Sequence, residues 1–129
     1  MGCNIRHNKE VKAVAVPDCL FCKIASKEIP AAIVYEDAKF VVIRDINPAA
    51  PVHLLIIPRI HLASLNETSD QDVDILGQIQ LLAARMAKQE NIAQNGYRLV
   101  NNCGPWGGQS IYHLHYHLIG GKQLGWPPE

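Results

Sequence analysis

Apolar and polar positions divide the chain into short strand-like runs and one long helical stretch. Residues 32–36 and 40–44 are rich in β-branched and aromatic side chains. Glu36-Asp37-Ala38-Lys39 separates them, which predicts a hairpin. Pro48 and Pro51 exclude regular structure from residues 47–51. Residues 52–57 then form a nearly continuous apolar run ended by Pro58, the pattern of a buried strand. Ser69, with Asp72 three positions on, reads as a capping box opening a helix to about Gln89. Val73, Leu76, Ile79, Leu82, Ala83 and Met86 recur at helical spacing and supply its core face. Residues 97–102 follow Asn95-Gly96 as another strand. A shorter helix over 19–26, capped by Asp18 and stopped before Pro30, begins the ordered chain. Residues 61–65 predict one helical turn.

The last run has a strict period of two. In His113-Leu114-His115-Tyr116-His117-Leu118 the histidines alternate with apolar residues. Successive side chains of a strand point to opposite faces, so a strand over 109–121 carries His113, His115 and His117 on one face. Leu114, Tyr116 and Leu118 occupy the other. Gly107-Gly108 precedes this run and Gly120-Gly121 follows it, which lets a ligand or another backbone approach closely. The order of helix, three strands, helix and two strands has no alternating βα units. It predicts an α+β fold with an antiparallel sheet.

At 129 residues the chain is one domain, and 48% hydrophobic with 19% charged residues is ordinary globular material. A formal net charge of zero excludes nucleic-acid or membrane-surface binding through bulk electrostatics. Any phosphate must be held locally. No apolar run reaches the roughly 18 residues of a membrane span. Residues 1–16 carry no signal-like apolar core, so the expectation is a flexible leader, 1–16, before a domain at 17–129, and a cytoplasmic protein. Trp126-Pro127-Pro128 can join neither a helix nor a central strand.

Four cysteines, at 3, 19, 22 and 103, are too few for a disulfide-stapled secreted domain. Cys19-Leu20-Phe21-Cys22 is a C-x-x-C pair, which reads as half a zinc site or a redox pair. No thioredoxin-like βαβ pattern surrounds it, and this favours the metal. Small buried hydrophobes are the alternative.

Three histidines in register beside Ser110 and a glycine loop point to chemistry at phosphorus. A neutral imidazole is a competent nucleophile once its other nitrogen has a partner that fixes the tautomer. His117 and Ser110 flank His115 and can donate to phosphoryl oxygens, where charge accumulates. Gly107 and Gly108 can add backbone N–H groups in a loop nest.

The pattern from His113 to Ile119 resembles the histidine triad (HIT) motif, and the chain is similar to histidine triad proteins. Four further stretches resemble the Hint branch, the histidine triad nucleotide-binding proteins. They are Phe21-Cys22-Lys23-Ile24 with Lys27-Glu28-Ile29-Pro30, Asp45-Ile46-Asn47-Pro48, His53 to Pro58 with His61, and Trp126-Pro127-Pro128. The likeness runs from about Asp18 to the C-terminus. It implies a HIT-like fold, a five-stranded antiparallel sheet with one long helix across it and a short N-terminal helix. It also implies a purine nucleoside phosphoramidase. His115 would attack the α-phosphorus to form a covalent nucleotidyl-histidine, and water would release the nucleoside monophosphate.

By the same resemblance, His113, His117, Ser110 and His53 complete the catalytic group. Asn102, Gly108, Gln109, Ser110, His115 and His117 contact phosphate, and Asp45 accepts the ribose hydroxyls. Phe21, Ile24, Ile43, Ile46 and Leu55 form the base pocket. Catalysis requires no cofactor. In zinc-bearing relatives the ligands match Cys19, Cys22, His61 and His113, a possible structural zinc site. The partners implied are small purine nucleotides and a second copy of the chain in a homodimer. Two positions depart from the pattern: Ile43, where many relatives carry an aromatic residue, and Trp106, where they carry a small or acidic one. Three other activities remain open. These are dinucleoside polyphosphate hydrolysis, a catalytic zinc held by His113, His115 and His117, and non-catalytic nucleotide binding.

Overall fold

The structure is a computed structural model and describes residues 4–7, 10–16 and 18–128. In chain order its elements are β1 (Asn4–His7), β2 (Glu10–Ala15), α1 (Leu20–Ala25), β3 (Ile33–Glu36), β4 (Phe40–Arg44) and β5 (Val52–Pro58). They continue with β6 (Ile60–His61), α2 (Val73–Gln89), β7 (Tyr97–Val100) and β8 (Tyr116–Gly120). The main sheet has five strands in the order β3-β4-β5-β8-β7. Every neighbouring pair in it is antiparallel. This is the predicted α+β architecture. Within the segment expected to be a flexible leader, β1 and β2 pair as an antiparallel hairpin, and β1 runs parallel to β6.

The central strands are apolar on both faces because both faces are covered. Phe40, Val42, Leu54, Ile56, Tyr116 and Leu118 pack with Ile79, Leu82, Ala83, Met86 and Ala87 of α2. On the opposite face Val41, Ile43, Leu55 and Ile57 pack with Phe21, Cys22, Ile24 and Ala25 of α1. Burial of each large apolar side chain contributes about 1.5–3 kcal/mol. Arg59 anchors α1 at its end. Its Nη1 donates to the Ala25 carbonyl at 2.7 Å, its Nε to the Asp37 carbonyl at 2.8 Å, and its Nη2 to Glu36 at 3.1 Å.

Several boundaries and one core position differ from the sequence reading. The cap of α1 is Cys19, whose sulfur accepts the Cys22 N–H, and not Asp18. Residues 60–61 are a strand, and the expected turn falls at Leu65–Glu67 because Ser64 caps it by accepting the Asn66 N–H. The Ser69–Asp72 capping box is present, but it closes a 3-10 turn, Asp70–Asp72, ahead of α2. Val73 is 64% exposed, and Ala87 takes a core place instead. At 100° per residue Val73 lies about 120° around the helix from Ile79, outside the buried stripe. No helix among the described residues is long and apolar enough to cross a membrane.

Candidate active site

Strand register places Ile43, His53, Leu55 and His117 in one patch on the α1 face of the sheet. Ile43 pairs with Leu55, Leu55 with His117, and His53 lies two positions before Leu55 on β5. Side chains two apart on a strand share a face. Phe21 and Ile24 cover this patch from α1.

The triad run is not one continuous strand, since β8 begins only at Tyr116. The Leu114 N–H bonds to the Leu62 carbonyl at 2.7 Å, so the segment before Tyr116 leaves the sheet to follow residues 60–62. The alternation survives this departure. Leu114, Tyr116 and Leu118 lie in the core under α2. The rings of His115 and His117 lie 5.2 Å apart on the other side.

Each triad histidine has a different partner. His113 is fully buried, and its Nε2 donates to the Pro58 carbonyl at 2.7 Å. Its Nδ1 is therefore the lone-pair nitrogen, and it lies 3.2 Å from Cys19 Sγ and 3.1 Å from His61 Nδ1. His115 Nδ1 donates to the His113 carbonyl at 2.7 Å. That bond puts the proton on Nδ1 and leaves the Nε2 lone pair unprotonated. His117 Nδ1 lies 2.9 Å from His53 Nε2. His53 Nδ1 accepts the Ala49 N–H at 3.0 Å, so the His53 proton sits on Nε2 and is donated to His117. His117 in turn carries its proton on Nε2. The chain of bonds presents a lone pair on His115 and a donor on His117, side by side.

Burial keeps the three triad imidazoles neutral. It pushes His113 down to about 4. Burial, then the neighbouring His115 and His53, pushes His117 down to about 4 despite the pull of Asp45. His115 is also below its usual value, chiefly through burial. For His117 the sign is fixed: the unfolded chain, with an ordinary histidine value near 6.5, binds the proton first. Its contribution to stability is complete above about pH 6.5 and is lost as pH falls toward 4. Urea midpoints of the wild type should fall over that window, and His117→Gln should make the fall shallower, with His113 and His115 supplying the remainder.

Asp45 is half-buried. Its Oδ1 accepts the Asn47 N–H at 2.7 Å, and its Oδ2 lies 3.4 Å from His53 Nε2. Phe21, Ile24, Ile43 and Leu55 are buried together, whereas Ile46 is 92% exposed. Asn102 Nδ2 donates to the Gly107 carbonyl at 2.7 Å. The glycine loop does not offer the expected nest. The Gly107 and Gly108 N–H groups are bonded to the carbonyls of Gly104 and Pro105. A side chain at Gly107 would collide with the Cys103 carbonyl, and Gly108 has φ +84°. Gln109 is committed to the same loop, accepting from Gly104 N–H and donating to the Ala63 and Ile111 carbonyls. Ser110 is exposed, and Trp106 stands fully in solvent.

Two functional contacts were not anticipated. Asn101 Nδ2 donates to the His115 carbonyl at 3.0 Å and steadies the backbone of that residue. The Ala49 N–H fixes the His53 tautomer. An Asn-Asn pair before a glycine loop is the only signal the sequence holds for the first, and none marks the second.

Cys19, Cys22, His61 and His113 form a second cluster. Cys22 Sγ lies 3.4 Å from His61 Nδ1 and 3.7 Å from His113 Nδ1. Tetrahedral zinc, with bonds of about 2.1 Å to nitrogen and 2.3 Å to sulfur, sets ligand edges of roughly 3.3–3.8 Å. The Pro58 carbonyl behind His113 is the outer partner that orients a metal-binding imidazole. The donor set therefore fits zinc once the His113 Nδ1 contacts, at 3.2 and 3.1 Å, open by a few tenths of an ångström. Cys22 is disulfide-bonded in this structure, so loading requires the reduced chain. Asp45, His53 and His117 also converge, but there the proton on His53 Nε2 opposes a metal. The three triad histidines face separate partners, which disfavours a catalytic zinc shared among them.

The chain matches the family model described as "Scavenger mRNA decapping enzyme C-term binding" over residues 18–125. It is 47% identical to the adenylylsulfatase HINT1 of Arabidopsis thaliana, covering 93% of this chain and 84% of that one. It is 50% identical to a 14 kDa zinc-binding protein of Brassica juncea, covering 86% and 99%. Against the purine nucleoside phosphoramidase of Escherichia coli K12 the identity is 46%, covering 84% and 91%. The crystal structure of a HIT family hydrolase from Legionella pneumophila superposes with a TM-score of 0.86 at 50% identity, covering 87% and 100%. With the fold, the order of motifs and the triad geometry all in agreement, the chain belongs to the histidine triad family, in its Hint branch.

Proposed function

We propose that the protein is a nucleotide hydrolase that cleaves purine nucleoside phosphoramidates through a covalent nucleotidyl-histidine on His115. The observation that carries this reading is the 2.7 Å bond from His115 Nδ1 to the His113 carbonyl, which leaves Nε2 as a neutral nucleophile. Nε2 attacks the α-phosphorus and the P–N bond breaks, with the amine leaving as it takes up a proton. The His117 Nε2–H beside it is the donor for this step, and in this reading the Ser110 hydroxyl donates to the phosphoryl oxygens. Water then attacks the phosphorus and breaks the P–Nε2 bond, its proton replacing the one given to the amine, which releases the nucleoside monophosphate and restores neutral His115. The names of the Arabidopsis and E. coli relatives, an adenylylsulfatase and a phosphoramidase, support hydrolysis at a nucleotidyl phosphorus. Mixing the protein with adenosine phosphoramidate, quenching in acid and measuring intact mass tests it. The chain should gain one adenylyl group, carried on the peptide containing His115. An adduct elsewhere, or turnover without any adduct under single-turnover conditions, would overturn the assignment.

The nucleoside lies across the patch of Phe21, Ile24, Ile43 and Leu55, with Ile46 free to cover the base. Asp45 accepts the ribose hydroxyls, since two neighbouring donors suit one ionised carboxylate. Gln109 and Gly108 act by shaping the loop that carries Ser110, and Asn102 holds its far side. Asp45→Ala should weaken AMP binding by roughly 10- to 100-fold, a charge-assisted bond being worth about 1.5–3 kcal/mol. It should also erase the preference for ribo- over 2′-deoxy-nucleotides. An unchanged preference would remove Asp45 from this role.

Cys19, Cys22, His61 and His113 hold one structural zinc in the same reading, supported by their geometry and by the name of the Brassica relative. The protein acts as a homodimer. β7 lies at the edge of the sheet, and an open edge is an association hazard unless paired or capped. Leu81 on α2 and Trp126 in the tail are 64% and 82% exposed. Light scattering should give twice the chain mass at micromolar concentration. Deleting residues 124–129 should alter substrate selectivity without dissociating the dimer.

A further inference from the structure

The metal cluster and the nucleophile share parts. His113 offers its Nδ1 to the cluster and its main-chain carbonyl to His115 Nδ1, the latter at 2.7 Å. One residue is thus both a candidate ligand and the acceptor that selects the tautomer of the nucleophile. Phe21 makes a second link. It lies on α1 between the cap residue Cys19 and Cys22, so a shift of that helical turn carries its ring along. That ring meets His115 edge-on, with centroids 5.0 Å apart at 83°, and meets His113 at 6.0 Å and 77°. Phe21 is 2% exposed and His113 is fully buried, so neither can shift without its neighbours moving.

We propose that metal bound by Cys19, Cys22, His61 and His113 positions the nucleophile, with the His113 carbonyl and the Phe21 ring as the two links. A four-ligand ion joins α1 to the segments holding His61 and His113. Without it the short helix is held by packing and by Arg59. His113 then keeps the bond of its Nε2 to the Pro58 carbonyl but loses the fixed anchor at Nδ1, which loosens the carbonyl that His115 donates to. The metal takes no part in bond making. Its effect is on how often His115 holds the attacking tautomer and orientation, where a misplacement of about 1 Å can cost on the order of 100-fold in rate. Phe21 is a positioning residue here. This inference rests on the proposed structural zinc and on His115 as nucleophile.

The test uses the full reduced chain, loaded with zinc and then exchanged to cadmium, a larger ion that lengthens every ligand bond. Long-range nitrogen–proton correlation spectra read the tautomer and environment of each imidazole ring. Zinc-to-cadmium exchange should shift the His115 ring resonances more than those of His53. It should also lower kcat for adenosine phosphoramidate several-fold, with KM nearly constant. Phe21→Leu keeps all four ligands. It should retain one equivalent of zinc, broaden the His115 resonances and lower kcat about tenfold. A change in KM alone would mean that Phe21 acts only in the base pocket, and would overturn its positioning role. His115 resonances and kcat indifferent to the exchange would overturn the coupling, as would a reduced chain that binds no metal. Failure of the phosphoramidase reading has a different signature. A loaded chain with no turnover contradicts that activity, while the response of the His115 ring still decides the coupling.

Discussion

Replacement of His115 by alanine should lower kcat/KM for a nucleoside phosphoramidate by about 10⁴-fold or more, with AMP binding within a few-fold of wild type. The size of the loss follows from the role. Removing a covalent nucleophile removes the pathway, leaving only what orientation and charge stabilisation supply. His115→Ala should also abolish the acid-trapped adduct. Folding should survive, because the His115 ring faces the site and the core under α2 is built from Leu114, Tyr116 and Leu118. His117→Ala should be less severe, since it removes a donor and leaves the attacking nitrogen in place. If His115→Ala hydrolysed at near the wild-type rate, the histidine nucleophile would have to be sought elsewhere, and the tautomer set by the His113 carbonyl would be a packing detail.

Chelation is the second large effect. A closed site of two thiolates and two imidazoles couples metal affinity to folding, because the unfolded chain holds no such site. Stripping zinc from the reduced protein should lower Tm by roughly 10 °C or more. A contribution of only a few kcal/mol suffices for that in a domain of this size. Cys19→Ser should reproduce the shift and make Tm insensitive to chelator. Burial pushes the Cys19 thiol up from its usual value, so in the absence of metal it is protonated, and loading releases that proton. Metal uptake should therefore weaken as pH falls. A protein that takes up no zinc when reduced, and melts at one temperature with or without chelator, would leave the four residues as a polar core cluster.

Much of the site geometry was legible because strands have a period of two. Alternation alone separates His113, His115 and His117 from Leu114, Tyr116 and Leu118, and the structure retains that separation where the ladder has ended. The continuous apolar runs of β4 and β5 announce strands buried on both faces. The capping box at Ser69 announces the start of the long helix, although it could not say whether the first turn would be 3-10. The outer limit of the buried stripe was harder to read. Apolar character marks Val73 as core, but only the angle between helix and sheet leaves it in water.

The sequence by itself determined the two helices and the strands of the main sheet, their order, the face each triad histidine occupies and the family the chain belongs to. All of these are local consequences of backbone period, capping and motif order. Tertiary structure decided which atom of each triad histidine carries a proton. Those protons are placed by the Pro58 carbonyl for His113, the His113 carbonyl for His115, and the Ala49 N–H through His53 for His117. It also decided that the glycine loop satisfies its own N–H groups, and that Cys19, Cys22, His61 and His113 meet at one point although up to 94 positions separate them. The reason is physical. A tautomer or a ligand set depends on directed bonds of a few ångströms between atoms distant in the chain, and only packing brings such atoms together.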